Sequence, residues 1–287
     1  MRIELGQNLF NNYLLILFIS VVFTVPFLYR LIHIGSLRWI VKNNNLSSDI
    51  NYRKAEKFRV YQVFFGFLFF LFHGAIFWGV QNIIQLFLIA TIISMLAEII
   101  GSKTGIIFGG LYTYNSNKTP GYILGGIPIL IPVAWFGLIY MALNLSLHLF
   151  EVDWFSDVDE SKIRLLYLPS IMLTLLDLVL DPIAVNENRW GWKIPGKYYG
   201  VPILNFFGWF IVSILILIIF SILYVPIDKA TDEYSLIMKF APGILFIFLH
   251  LIAARPCFER KLIIPGIIGV VLFLSYLVFF CLIYIIY

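Results

Sequence analysis

Apolar runs of about twenty residues recur along the whole chain, and few folds accommodate that. A helix crossing the hydrocarbon core of a bilayer needs ~20 mostly apolar residues. Eight stretches qualify, at about 9–32, 60–79, 81–100, 123–149, 164–181, 203–225, 237–253 and 263–286. The expected fold class is all-α: a polytopic transmembrane helical bundle of about eight spans, with residues 1–287 forming one integral membrane domain. The second and third spans are the least clearly divided. Only Gln81 and Asn82, with Gly74 and Gly79 nearby, separate them, and a re-entrant bend at 74–80 would reduce the count to seven. Charged residues make up 13% of the chain, against roughly 25% in soluble domains. That excludes a soluble enzyme, a disordered protein and a secreted disulfide scaffold. The first apolar stretch is longer than a signal-peptide core and no A-x-A site follows it, so no cleaved leader is expected.

The loops carry unequal charge. In an eight-span layout, fifteen of the twenty lysines and arginines fall on one side, among them Arg59, Lys103, Arg189 and Arg260. The other side holds five, together with the acidic run Glu151, Asp153, Asp157, Asp159 and Glu160. Basic loops stay in the cytoplasm. The prediction is a multi-pass protein of the cell membrane with its basic loops cytoplasmic and both termini opposite. The basic residues form no stripe, so no nucleic-acid partner is expected. The asparagine-rich segment 36–59 reads as a solvated loop that meets anionic lipid headgroups. Cys257 and Cys281 have apolar neighbours and read as packing thiols. The histidines at 33, 73, 148 and 250 show no ligand spacing and read as polar residues satisfied between helices. No phosphate loop, dinucleotide fingerprint or DDxxD-type magnesium motif is present, so neither metal nor cofactor is expected.

Two polar segments do not resemble ordinary loops, and both fall on the predicted cytoplasmic side. The first, residues 98–114, starts at Glu98 inside an apolar run and mixes glycines with Phe108, Tyr112 and Tyr114. Irregular backbone at membrane depth survives only where protein or a cavity covers it, so this segment is expected to line a pocket. The alternative is a plain helix end capped by Gly101. The second, residues 177–209, contains Asp177, Asp181, Trp190, Trp192, Tyr198, Tyr199, Asn205 and Trp209. Asp177 and Asp181 are four apart and share a helical face. Pro182 predicts that the helix stops at about Asp181. An interfacial aromatic belt accounts for about half of the rings but not for the carboxylates.

Glu98, Asp177 and Asp181 are the most informative residues. An acid at the centre of a span costs roughly 2.5–3.5 kcal/mol on insertion scales and usually marks function. All three sit toward helix C-termini, whose partial negative charge opposes another anion. Desolvation and mutual repulsion act the same way. Ionising the whole set is therefore unfavourable, and a carboxyl that keeps its proton is what a general acid requires. The competing arrangement is a pair of quiet ion pairs, Lys103 with Glu98 and Arg189 with Asp181. A proton relay is a further alternative.

E-x-x-G-x-x-T-G-x-x-F-G at 98–109 followed by Tyr112 and Tyr114, G-x-P at 126–128 with Pro132 and Trp135, D-x-x-x-D-P at 177–182, W-G-W at 190–192 and Y-Y-G-V-P-x-x-N-x-x-G-W at 198–209 together resemble the carotenoid-biosynthesis membrane family. That family includes bisanhydrobacterioruberin hydratase and related carotenoid terminal hydratases. The resemblance covers roughly residues 60–285. It implies cofactor-free addition of water across the terminal double bond of an acyclic carotenoid end group, giving a tertiary alcohol. It also implies a lipophilic carotenoid substrate, contact with membrane lipid and a place beside other carotenoid-pathway enzymes. Glu98, Asp177 and Asp181 stand within the matching motifs as the acid–base set, with the order of acid and base open. Trp190, Trp192, Tyr198, Tyr199 and Trp209 are candidate cation-stabilising walls, with Tyr112 and Tyr114 opposite and Trp135 alongside. Asn205 is the candidate holder of water, and the fourth and sixth spans are the candidate groove. Ring closure by a carotenoid cyclase begins with the same protonation. A small transporter or a carotenoid-binding scaffold are the readings from other classes.

Overall fold

Seven helices among the described residues are long and apolar enough to cross a membrane. The computed structural model describes residues 13, 14, 16–18, 20, 49–119, 121–149, 159–226 and 236–286. Most of the expected first span at about 9–32, most of the 36–59 loop, His33 and the acids at 151, 153 and 157 lie outside the described residues. The helices are α1 (Asp49–Phe77), α2 (Val80–Thr104), α3 (Leu130–Leu149), α4 (Asp159–Asn186), α5 (Ile203–Leu223), α6 (Leu236–Glu259) and α7 (Ile263–Ile286).

The doubtful division between the second and third expected spans is a real helix break. The Trp78 N–H closes on the Gly74 carbonyl at 2.8 Å, and Gly79 takes φ 83°, a value that favours glycine, before α2 begins. Two packed helices result, each long enough to span.

Helix α3 is the hub. It packs against α1, α2, α4 and α6, and 67% of its span is buried against 50% for the next most buried helix. The outer helices bury less because one face of each has no protein to meet. On α2 that face is Ile84, Leu88, Ile92, Leu96 and Ile100; on α5 it is Phe207, Ile211, Leu215, Ile218 and Ile222. Exposed apolar stripes at helical spacing are lipid contacts, and the chain is a multi-pass membrane protein. His73 has the satisfied role expected of it, bonded to the Tyr140 hydroxyl at 2.6 Å and the Met238 carbonyl at 2.7 Å.

Several helix ends differ from the sequence expectation. The fourth span starts at Leu130 rather than 123, because residues 123–128 form a small hairpin of β2 (Ile123–Leu124) and β3 (Ile127–Pro128). Helix α6 runs through Pro256 to Glu259. Helix α4 runs through Pro182 to Asn186 instead of stopping at Asp181. Proline offers no N–H to the carbonyl four residues earlier, here Leu178. The Tyr198 hydroxyl donates to that carbonyl at 3.0 Å in its place. Tyr198→Phe leaves the carbonyl without this donor and is expected to destabilise the protein by about 1–3 kcal/mol. A lowered thermal midpoint in detergent would report it; an unchanged midpoint would mean that α4 needs no such support.

Candidate functional site

The two unusual polar segments are the two halves of one ribbon. Strand β1 (Tyr112–Tyr114) pairs antiparallel with β4 (Trp190–Trp192), in the register Tyr112 opposite Trp192 and Tyr114 opposite Trp190. The pairing also satisfies backbone groups that membrane depth would otherwise leave unpaired. Alternate strand residues share a face, so all four aromatic rings lie together. The Tyr112–Trp192 and Tyr114–Trp190 ring centres are 5.6 and 5.5 Å apart. The Trp192 indole N–H donates to the Phe108 carbonyl at 2.9 Å, fixing the ribbon to the turn that precedes it.

That turn begins where α2 ends. The cap is Gly105, not Gly101: its φ of 73° is left-handed and its N–H reaches the Gly101 carbonyl at 2.8 Å. Gly101 is inside the helix, where an added Cβ would lie 2.5 Å from the Phe108 ring. The chain can therefore fold back tightly enough to bring Tyr112 and Tyr114 over Glu98.

Behind the ribbon lies a chamber of about 750 Å³. One end is lined by Glu98, Asp177, Asp181, Asn205, Tyr112, Tyr114, Trp135, Trp190, Trp192 and Trp209. The rest is largely apolar, formed by one face each of α1 (Val63, Phe67, Phe70), α3 (Ala134, Leu138, Met141) and α6 (Leu245, Leu249, Ile252), with a charged patch that includes Arg59, Glu187, Arg189 and Arg260. Of the expected groove, the fourth span contributes as anticipated. The sixth contributes only Asn205 and Trp209; α1 and α6 take its place, because the remainder of α5 turns its apolar stripe outward.

The three acids are gathered and dry: Glu98 is 5% exposed, Asp177 0% and Asp181 3%. Glu98 accepts hydrogen bonds from the hydroxyls of Tyr112 at 2.5 Å and Tyr114 at 2.9 Å. Burial, and then the adjacent Glu98 carboxylate, push both phenols well above the ordinary tyrosine range, so they remain donors at any physiological pH. Asp177 and Asp181 each accept a 2.7 Å hydrogen bond from the same Asn205 amide nitrogen. Asn205 was expected to hold water; its amide group instead ties the two carboxylates together. Neither of the competing ion pairs forms. Lys103 is exposed, and Arg189 pairs with Glu187 at 2.8 Å while its guanidinium lies 5.2 Å from the centre of the Trp190 ring.

Two buried polar atoms in this set have no protein partner in hydrogen-bonding geometry, the Trp135 indole N–H and Asp177 Oδ1. One is a donor and the other an acceptor, and the Trp135 N–H neighbours the Glu98 carboxylate without bonding it in good geometry. Trp135 is stacked on Trp209 with ring centres 4.0 Å apart, which fixes the direction of its N–H. Tyr198 and Tyr199, expected among the walls, do not line the chamber. The Tyr198 hydroxyl is engaged by Leu178, and Tyr199 packs on the separate cluster around Val179, Ile183 and Cys257.

Sequence reading missed one group. Glu187, just beyond α4 and 5% exposed in its side chain, is contacted by Arg189, by Arg260 and by Arg59 at 3.6 Å, and all four residues line the chamber. Only Glu187 and Arg189 are close in the chain. No local spacing could signal a cluster assembled from α1, the α4–β4 connection and the end of α6.

The chain is 35% identical over 132 residues to the bisanhydrobacterioruberin hydratase of Haloarcula japonica, an alignment that covers 46% of this chain and 42% of that protein. The chain thus matches less than half the length of this relative. No solved structure matches the chain. The sequence pattern of the carotenoid biosynthesis proteins matches residues 58–276, which take in both strands of the ribbon, all three acids and every wall of the chamber. The chain belongs to the carotenoid biosynthesis protein family.

Proposed function

We propose that this protein is a carotenoid hydratase, adding water across the terminal double bond of an acyclic carotenoid end group without a cofactor, as a hydro-lyase run in the direction of addition. The observation that carries the reading is the gathering of Glu98, Asp177 and Asp181, all buried, at the aromatic end of a largely apolar chamber. The partial match to a hydratase that acts on a carotenoid supports the same substrate class.

The carboxyls divide the work according to their surroundings. Asp177 and Asp181, bridged by one amide, hold a single proton between them, because two adjacent buried anions repel. Asp177 delivers that proton to the less substituted alkene carbon. The π bond breaks, a C–H bond forms, and a tertiary cation is left at the carbon bearing two methyls. Water bonds to this carbon, and its released proton passes to Asp181. The pair again holds one proton, so the cycle closes without an outside donor. We assign the water to Asp177 Oδ1, the oxygen of that carboxyl left without a hydrogen bond. The faces of Trp190, Trp192 and Trp209 stabilise the cation by roughly 2 kcal/mol each where desolvated. Glu98, which accepts hydrogen bonds from two phenols, supplies the counter-charge in its ionised form.

The chamber accepts an end group, and the remaining polyene lies between apolar helix faces that continue into lipid. The basic loops place this end of the bundle on the cytoplasmic side in our reading. The test is co-expression with a pathway that supplies an acyclic carotenoid, followed by pigment chromatography and mass spectrometry. The expected product is heavier than the substrate by one water per reacted end. An isomer of unchanged mass would assign the chamber to cyclisation, and unaltered pigment would overturn both.

A further inference from the structure

The segments that flank the ribbon carry side chains that neither the chamber nor the helix packing accounts for. Ile194, just after β4, and Ile106, in the turn after α2, are 82% and 79% exposed, the two most exposed large apolar residues among those described. A single apolar side chain on a surface is ordinary, but these two belong to a patch. The Lys193 N–H donates to the Leu111 carbonyl at 2.8 Å, which brings residues 193–194 alongside the exposed Leu111. The turn between Ile106 and Leu111 rests on the start of α5. A Cβ added to Gly109 would lie 2.8 Å from Leu204 Cβ, and one added to Gly208 would lie 2.4 Å from the Ile107 carbonyl oxygen. Leu204 and Phe207 are exposed at this place, and Phe207 begins the outward stripe of α5 that meets lipid. The apolar surface of that helix therefore continues over the turn and onto the end of the ribbon.

We infer that the segments 105–111 and 193–197 insert Ile106, Leu111 and Ile194 into the acyl layer of the bilayer beside α5. A contiguous apolar patch of this kind marks an interaction surface, and its continuity with the lipid-facing stripe of α5 identifies the partner as lipid. The charges agree. Lys103, Lys193 and Lys197 are exposed and close to the patch in the chain; a lysine stem lies along apolar surface while its ammonium reaches outward, and anionic headgroups attract it. The backbone tolerates such a setting, because the N–H groups of Gly105 and Ile106 are taken by the Gly101 carbonyl and the Thr104 hydroxyl, and the Leu111 carbonyl by Lys193. The ribbon then has its four rings on the chamber and its flanks in lipid, so the bilayer itself helps to hold the aromatic wall in place. The inference does not depend on the hydratase reading.

The test measures depth in the full chain, reconstituted in vesicles of phosphatidylcholine with a minor fraction of phosphatidylglycerol. Cys281→Ser removes the exposed native thiol and leaves the buried Cys257. Single spin labels are then placed through Ile106→Cys and Ile194→Cys, with Phe207→Cys as the lipid reference and Asn117→Cys, in an exposed polar turn, as the water reference. Collisions with oxygen and with the polar complex Ni-EDDA are compared at each label. The ratio of oxygen to Ni-EDDA collisions at 106 and 194 is expected to match that at 207 and to exceed that at 117 by about tenfold, because a polar complex is excluded from hydrocarbon while oxygen dissolves in it. Ratios like that at 117 would place the patch in water and overturn the inference. Labels that neither reagent reaches would overturn it as well, since protein, such as a second copy of the chain, then covers the patch. The wild-type protein supplies a check that needs no substitution. A diazirine carried on a lipid acyl chain should modify residues 106–111 and 194 as heavily as the outward face of α5, and modification of α5 alone would overturn the inference even if a labelled variant fails to fold.

Discussion

Asp177→Asn is expected to lower formation of the hydrated carotenoid by about 10²–10⁴-fold, the range that general acid–base assistance contributes, while the protein still reaches the membrane. Asparagine has nearly the volume of aspartate, and its amide oxygen can still accept the 2.7 Å hydrogen bond from Asn205. Its own amide can donate to Asp181, so the local packing survives. Insertion becomes easier, because an amide costs less than a carboxyl to place in a span. The only thing removed is a transferable proton. Asp181→Asn should be equally damaging, since the pair carries one proton and either member is needed to return it. Pigment from cells expressing each variant, normalised to the protein in the membrane fraction, measures both losses. Wild-type yield from Asp177→Asn would remove Asp177 from the chemistry, and a large difference between the two variants would separate donor from acceptor.

The carboxylates could be found from sequence because their signal is local. An acid inside an apolar run is anomalous by itself, and Asp177 and Asp181 declare a shared helical face through a spacing of four. The partners that determine what those acids can do are distant in the chain. Tyr112 reaches Glu98 only because Gly105 ends α2 in a left-handed turn, and Asn205 reaches the Asp pair from the first turn of α5. The ribbon was hidden for a related reason. Its strands are three residues each and 78 positions apart between Thr113 and Gly191, too short for any alternation to show. Proline misled for the opposite reason: a local rule ended α4 at Asp181, but a hydroxyl from Tyr198 overrides it. Apolar spans were legible to within about two turns wherever a single helix carried the pattern, apart from the start of α1, which lies at Asp49 inside the stretch read as a loop. Another exception is the 123–128 hairpin, where Ile123, Leu124 and Ile127 extend the apolar composition past the true helix start.

Glu98→Gln separates charge from proton transfer. In the proposed division of labour Glu98 never moves a proton. In its ionised form, with two phenols donating to it, it lowers the energy of the developing cation through the field it places in a dry chamber. Glutamine keeps the size, and its oxygen can still accept from the hydroxyl groups, but the charge is gone. Fixed electrostatic groups of this kind contribute about 10²–10³-fold, so the expected loss is of that order and smaller than that of Asp177→Asn. Tyr112→Phe and Tyr114→Phe supply the cross-check. Each removes one donor while the carboxylate remains, and each should cost less than the loss of the charge itself. If Glu98→Gln is as inert as Asp177→Asn, and the phenylalanine variants are nearly as active as the wild type, then Glu98 is the proton donor and its tyrosines only position it. If Glu98→Gln retains full activity, the cation needs no counter-charge, and stabilisation must come from the aromatic faces alone.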